Sequence, residues 1–544
     1  MTVSRRRFVT ATTLGLVASH WLPRRVLAAR NASRAFQPTW ESLRDYQVPE
    51  WFRDAKFGIW AHWTAQCVPE QGDWYARNMY LQGDAHYEHH LKTYGHPSQT
   101  GFMEMDNLWR AEAWDPEGLM RLYKAAGAKY FVALANHHDN FDTFDSAHHA
   151  WNSVKVGPRK DIVGGWAKAA RAQGLRFGVS NHSGHAWHWL QPAYGYDGEG
   201  ALAGVRYDAA KLTKEDGRGK WWEGLDPQEL YTGPNIVLPD GIRGAGAVRR
   251  WHEDNDSQWV EDPPANNPVF VRKWFLRCQD LVDKYRPDLL YFDNTGLPLG
   301  QAGLDIAAHY YNASRQWHGG KVQVVINSKK LTDEQRPALV EDIERGFSDA
   351  MRALPWQTDT CIGHWHYRRS LFEEHRYTSA GTVIGRLCDI VSKNGNLLLS
   401  IPLRGDGTID ADERQILEQL ASWMNLNGEA IFGTRPWRVF GEGPTEVKAG
   451  MFGEEKAKAF SGEDIRFTRK GDALYAILLG WPPSTTVTLK SLASGTPGKV
   501  ERVEMLGLDT GLSFTRDVTG LVVKLPPTLP GEHAFVLRIR GQAL

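Results

Sequence analysis

From about residue 50 the apolar positions switch repeatedly between two periods. Residues 115–127 (DPEGLMRLYKAAG) place apolar side chains at helical spacing behind an acidic first turn and end in glycine, which predicts a helix. Residues 129–135 (KYFVALA) are a short continuous apolar run, the pattern of a strand buried on both faces. The cycle repeats as helix 162–173 and strand 175–180, helix 270–285 and strand 288–293, helix 304–316 and strand 321–326, helix 380–393 and strand 396–401, with a last helix over 410–426.

Alternating helices and short apolar strands predict a parallel sheet wrapped by helices. Several strands end in polar residues: His62 after FGIWA, Asn136, His137 and His138 after FVALA, Asn181 and His182 after FGVS, Asp293 after LLYF, and Asn327 after VQVVI. In a (β/α)8 TIM-like barrel all strand C-termini converge on one face, so polar groups at five ends form one site. A doubly wound sheet would bind at a single switch point, usually beside a glycine-rich loop, and the chain has no such loop. The expected organisation is a barrel over residues 40–438, interrupted by a Gly-, Pro-, Asp- and aromatic-rich insertion at 190–265, plus a β-sandwich over 439–544. The sandwich is read from short apolar runs at 473–479, 485–489, 520–525 and 534–539 with turn residues between them.

Composition narrows the class. Lys+Arg and Asp+Glu number 64 each, so no basic footprint for nucleic acid is expected. The 23 tryptophans suit stacking on the CH faces of sugars as well as packing in a core. Cys67, Cys278, Cys361 and Cys388 are widely separated with no CxxC pair, which argues against a thiolate zinc site. Residues 1–29 read as a twin-arginine export signal: Arg5, Arg6 and Arg7, an apolar run at 9–22, then small residues. That run is too short for a stable span, so a periplasmic or secreted protein without a membrane anchor is expected.

Asp293 is the first candidate for chemistry. A carboxylate ending an apolar strand is costly unless it is paired or working. From the residues alone, a structural aspartate capping the next loop is an equal reading.

Six ordered motifs bear on that choice. They are Lys56–Trp63 (KFGIWAHW), Gly72–Met79 (GDWYARNM), Ala135–Phe141 (ANHHDNF), Asp288–Asp293 (DLLYFD), Asn394–Leu399 (NGNLLL) and Asn427–Phe432 (NGEAIF). Together they resemble the α-L-fucosidases, glycoside hydrolase family 29, over about residues 45–440. The resemblance implies a retaining exo-glycosidase acting by double displacement on fucosylated oligosaccharides or glycoconjugates, with no cofactor and no metal. It implies Asp293 as nucleophile and an acid/base in the loop 340–346, with Glu344 the first choice and Glu341 the second. It further implies sugar contacts from His62, His137, His138, Asp73, Trp74 and Tyr291, and from Lys329 in place of an arginine.

The chain departs from the family pattern at Asp73, Asn136, Tyr291, Asn327–Lys329, Gly178–Ser183 and Gln357, all around the expected pocket. These departures point to a divergent subgroup, tuned to a branched fucoside or an L-galactose-like sugar. Two other readings stay open. One is a metal-dependent hydrolase, from His182, His185 and His188 spaced by three, and His364 with His366. The other is a sugar-binding protein without catalysis.

Overall fold

A computed structural model describes residues 35–543; the expected export signal at 1–29 lies outside the described residues. Eight parallel strands close into a barrel in chain order: β1 Phe57–Ala61, β2 Tyr130–Asn136, β3 Arg176–Asn181, β4 Leu289–Thr295, β5 Val325–Lys329, β6 Val340–Asp342, β7 Trp356–Cys361 and β8 Gly395–Ser400. β1 pairs with both β2 and β8, which closes the ring.

The main outer helices are α1 Pro116–Ala125, α2 Ile162–Ala172, α3 Pro268–Tyr285, α4 Gln301–Trp317, α5 Ala380–Ser392 and α6 Ala411–Asn427. Most begin where a short polar side chain accepts an otherwise unpaired backbone N–H. Asp115, Asp161, Asn267 and Ser379 cap α1, α2, α3 and α5, and Asp410 with Glu413 forms a capping box on α6. Gly127 closes the turn after α1 at φ +103°, in the left-handed region that glycine tolerates.

Three elements differ from the pattern reading. Strand 321–326 is displaced to Val325–Lys329. Gln323 has already given its backbone N–H to Ser314 Oγ and its carbonyl to Trp51 Nε1, so it makes no ladder bonds there. The chain 340–342 and the segment Trp356–Cys361 (WQTDTC) are also strands, though neither is an apolar run. Every residue of β7 is buried; Gln357 and Asp359 meet other polar groups inside the barrel, while Thr358 and Thr360 bond to Gly346 and Glu454 on the other face.

The barrel interior is crossed by Tyr130, whose hydroxyl donates to Gln357 Oε1 at 2.9 Å. A Cβ at Gly58 would lie 2.4 Å from the Tyr130 ring, so this neighbouring position on β1 is reserved for glycine.

The C-terminal part is a two-sheet antiparallel sandwich. β9 Arg435–Glu442, β10 Ile465–Lys470, β11 Ala473–Leu478, β12 Thr486–Leu489, β13 Lys499–Met505, β14 Phe514–Arg516, β15 Leu521–Lys524 and β16 Phe535–Gln542 form sheets ordered β13-β16-β11-β10-β9 and β12-β15-β14. β11 is buried on both faces: Leu474, Ala476 and Leu478 join the sandwich core, while Ala473, Tyr475 and Ile477 pack into the core of the barrel. Asp389 on α5 ties the two together, accepting from Arg466 of β10 and from Lys393, with all three side chains buried. The four cysteines are buried and free. No helix among the described residues is long and apolar enough to cross a membrane.

Candidate active site

The site is built at the C-terminal ends of the barrel strands. Asp293 sits within β4, where the β4–β5 register shifts between Tyr291 and Thr295. Such an irregularity re-aims a side chain out of the ladder. Asp293 Oδ2 lies 3.2 Å from His138 Nε2 and 3.1 Å from His182 Nδ1, and Oδ1 accepts from Lys329 Nζ. The same ammonium donates to Glu344 Oε2. Two oxygens hydrogen-bonded to one nitrogen lie within about 6 Å of each other.

The environments of the two carboxyls push them apart. Burial would raise Asp293, but Lys329, His182 and His138 outweigh it and hold its carboxyl well below the usual range. Burial likewise raises Glu344; there Lys329 is opposed by the negative charges of Asp359 and Asp293, and the carboxyl is pushed up to about 7. Lys329 is buried, yet Asp293, Glu344 and Asp359 keep its ammonium charged far above the ordinary lysine value. The alternative acid, Glu341, faces elsewhere: it binds Arg336, Arg352 and the backbone N–H of Leu331.

Imidazoles line the rest of the pocket. Ring centroids of His137 lie 4.4 Å from His138, 5.1 Å from His182 and 4.8 Å from His366, and His62 stands 5.5 Å from His182. Burial depresses His62 and His137 well below the ordinary histidine value and His182 to about 4. Neutral rings present one donor and one acceptor each, which suits hydroxyl groups.

The Gln66 amide sets the His137 tautomer. Its Oε1 accepts from Ala76 N, so its NH2 donates to His137 Nδ1 and Asp139 Oδ2. His137 Nε2 then carries the ring proton and is a donor.

The other expected contacts take different positions. Tyr291 is buried, donating to Asp359 Oδ2 at 2.9 Å, with its ring 4.7 Å from Trp60. Asp73 accepts from the backbone N–H groups of Trp365 and His366 and from His364, and so fixes the loop that carries Trp365 to 4.8 Å from His62. Trp74 is 40% exposed at the mouth, at φ +67°, edge-on to Trp189.

His182 and His366 are part of the pocket, although from sequence they entered only as candidate metal ligands. His182 was visible as a polar strand end. His366 follows β7, the strand that apolar periodicity does not reveal. Ser183–His185 forms a 3₁₀ turn and Ala186–Trp189 a helical one, and these turns carry His185 and His188. Nitrogens of His137, His138 and His182 come within 4.8 Å of one another, the spacing of a metal-ligand set. The insertion reaches the site through Trp259, whose ring lies tilted 3.9 Å from that of His185, and Glu261, which binds Asn294 and the Thr295 N–H just after Asp293.

Residues 26–429 match the family model "Alpha-L-fucosidase", and residues 458–540 match "Alpha-L-fucosidase C-terminal domain". Tissue alpha-L-fucosidases of Macaca fascicularis and Homo sapiens are each 27% identical over 523 residues, 93% of this chain and 92% of theirs. The crystal structure of Thermotoga maritima alpha-fucosidase with a mechanism-based inhibitor superposes with a TM-score of 0.68 at 27% identity, covering 93% of this chain and 100% of that one.

Proposed function

The chain belongs to the α-L-fucosidase family of glycoside hydrolases, whose reaction is the hydrolysis of fucosyl residues, and we propose that it works by double displacement with Asp293 as nucleophile and Glu344 as acid/base. One observation carries this reading: two carboxyls meet on the Lys329 ammonium, in surroundings that lower one and raise the other. Pairs of carboxyls pushed apart in this way mark acid and nucleophile. Their closeness fits retention, which needs about 5–5.5 Å, better than inversion, which needs about 6.5–9.5 Å. Asp293 attacks the anomeric carbon while Glu344 protonates the departing glycosidic oxygen. Glu344, now a carboxylate, takes a proton from water as that water cleaves the glycosyl-enzyme. Neutral His62, His137 and His182 bind the sugar hydroxyls, with His137 Nε2 a fixed donor. Asp73 acts through the loop it holds, and Trp74 offers its ring at the mouth.

The test is turnover of a panel of α-L-fucosides, one of them chromogenic, by the wild type and by Asp293→Ala and Glu344→Ala. Asp293→Ala is expected to lose at least about 10³-fold in kcat. Glu344→Ala should lose most on poor leaving groups and recover with azide. NMR of the first-formed product should show the α-anomer. Equal turnover by Asp293→Ala, or inversion, would sink the mechanism.

The imidazole trio favours a second reading, a metal-assisted hydrolase. Against it, the Gln66 amide places a proton on the nitrogen that His137 would use as a ligand. Activity that survives a chelator separates the two.

We also propose export through residues 1–29, a reading supported by the arginine triplet and the apolar run. Retention of an Arg5→Lys, Arg6→Lys variant in the cytoplasm is the expected result, and unchanged export refutes it.

A further inference from the structure

Beneath the catalytic pair lies a second pair of carboxyls. The chain after β6 continues alongside β7: Ile343 N donates to Gln357 O at 2.9 Å and Arg345 N to Asp359 O at 2.8 Å. Side chains two apart on a strand share a face. Asp342 ends β6 and Glu344 lies in the turn just beyond it, each interacting with Asp359, while Gln357 and Asp359 lie on one face of the next strand. Gln357 Nε2 donating to Asp342 Oδ2 at 2.6 Å identifies that face as the barrel interior.

Asp342 and Asp359 are almost completely buried, and one oxygen of each is accounted for, by Gln357 and by the Tyr291 hydroxyl. The other oxygen of each, Oδ1 in both cases, is buried with no donor among the described residues. Two orphaned carboxylate oxygens in a dry interior cost several kcal/mol unless a proton lies between them.

The groups facing this pair from the surrounding strands are Tyr130 on β2, Tyr291 and Asp293 on β4, Lys329 on β5, and Glu344 beyond β6. Of these only Lys329 is a fixed cation, and it is already bonded to Asp293 and Glu344. A single ammonium does not neutralise four ionised carboxyls, so protons must remain on some of them.

We propose that Asp342 and Asp359 share one proton and that the single negative charge left on the pair is a positioning element that holds the acid proton on Glu344. The proposal rests on Glu344 being the acid/base. Glu344 gives its proton to the glycosidic oxygen and regains one from water, while the pair keeps its shared proton throughout. In the free enzyme the pair opposes the pull of Lys329, which by itself would leave Glu344 ionised and useless as an acid. Burial directions agree, since Asp359 is held well above the usual carboxylate value and Asp342 is raised to about 6, with burial the largest cause in both.

The experiment is the pH dependence of kcat/KM for the full chain and for Asp359→Asn, Asp342→Asn, the double variant carrying both, and Glu344→Gln, on an activated aryl α-L-fucoside. In either single variant the amide takes the place of the protonated carboxyl and the other aspartate keeps the negative charge, so the basic limb, which reports the acid in the free enzyme, should stay near its wild-type position. The double variant removes the charge, and its basic limb is expected to move toward lower pH by about one unit. The two single variants lie on different strands, so the shared proton is tested even where one of them does not fold.

A basic limb that moves down in a single variant would mean that both carboxyls were ionised, and it overturns the shared proton; a loss of rate with an unmoved limb in the double variant is what a merely structural role would give, and it overturns the pair's charge role. Glu344→Gln distinguishes the two levels of the argument. If the basic limb disappears in Glu344→Gln but does not move in the double aspartate variant, the pair alone is refuted. If it persists in Glu344→Gln, the acid/base reading fails and the pair's role falls with it.

Discussion

Lys329 donates to Asp293 from the adjacent barrel strand, and its ammonium also reaches Glu344. A lysine is a point charge without the bidentate fork of arginine. Here that compactness lets one nitrogen sit between two carboxyls and act on both at once, lowering each.

Replacing Lys329 by methionine therefore moves both limbs of the pH–rate profile. In the wild type, kcat/KM should fall above about pH 7 as Glu344 loses its proton. Without the ammonium both carboxyls titrate higher, so the acidic limb and the basic limb shift to higher pH, each by about one unit or more. Lys329→Arg keeps the charge and should leave the limbs near their wild-type positions. Steady-state kinetics between about pH 4 and 9 decide it, and a basic limb that moved down would contradict the charge assignment.

Glu344 should also cost the protein stability at neutral pH. Its folded value, about 7, is raised above the ordinary 4.5, so the folded state binds the proton more tightly than the unfolded chain. That contribution is fully present below the unfolded value and is lost as pH rises through the folded one. Glu344→Gln removes the titration. Its melting temperature relative to wild type should therefore climb between about pH 5 and 8, by the equivalent of about 1–3 kcal/mol. Calorimetry at four or five pH values would show it, and a constant difference would count against a raised Glu344.

Asp389 is the expected weak point of the junction between barrel and sandwich. It accepts from Arg466 Nε at 2.6 Å and Lys393 Nζ at 2.8 Å, and the three side chains are at most 3% exposed. Asp389→Ala leaves two buried cations without their anion, and removing one partner of a buried ionic cluster costs about 3–5 kcal/mol. A fall in the denaturant midpoint of that size is expected, together with loss of the docked sandwich in limited proteolysis. A change under about 1 kcal/mol would mean the cations find other acceptors.

By itself the sequence determined the barrel, because helix caps and the alternation of helical and strand periods are local. Asp115, Asp161, Asn267 and Asp410 start helices through bonds to residues three positions away. It determined Asp293 as a residue of interest, because an acid ending the run LLYF contradicts its own strand. It did not reveal β7, whose segment WQTDTC carries no apolar signal; it is a strand only because other strands supply partners for Gln357 and Asp359. Nor did it assign His182 to the nucleophile, or choose Glu344 over Glu341 on physical grounds. Those choices rest on which side chains meet across parallel strands separated by tens of residues, and on how burial and one shared ammonium divide the protons among them. Both are properties of the closed barrel, where distant strand ends converge and water no longer screens one charge from the next.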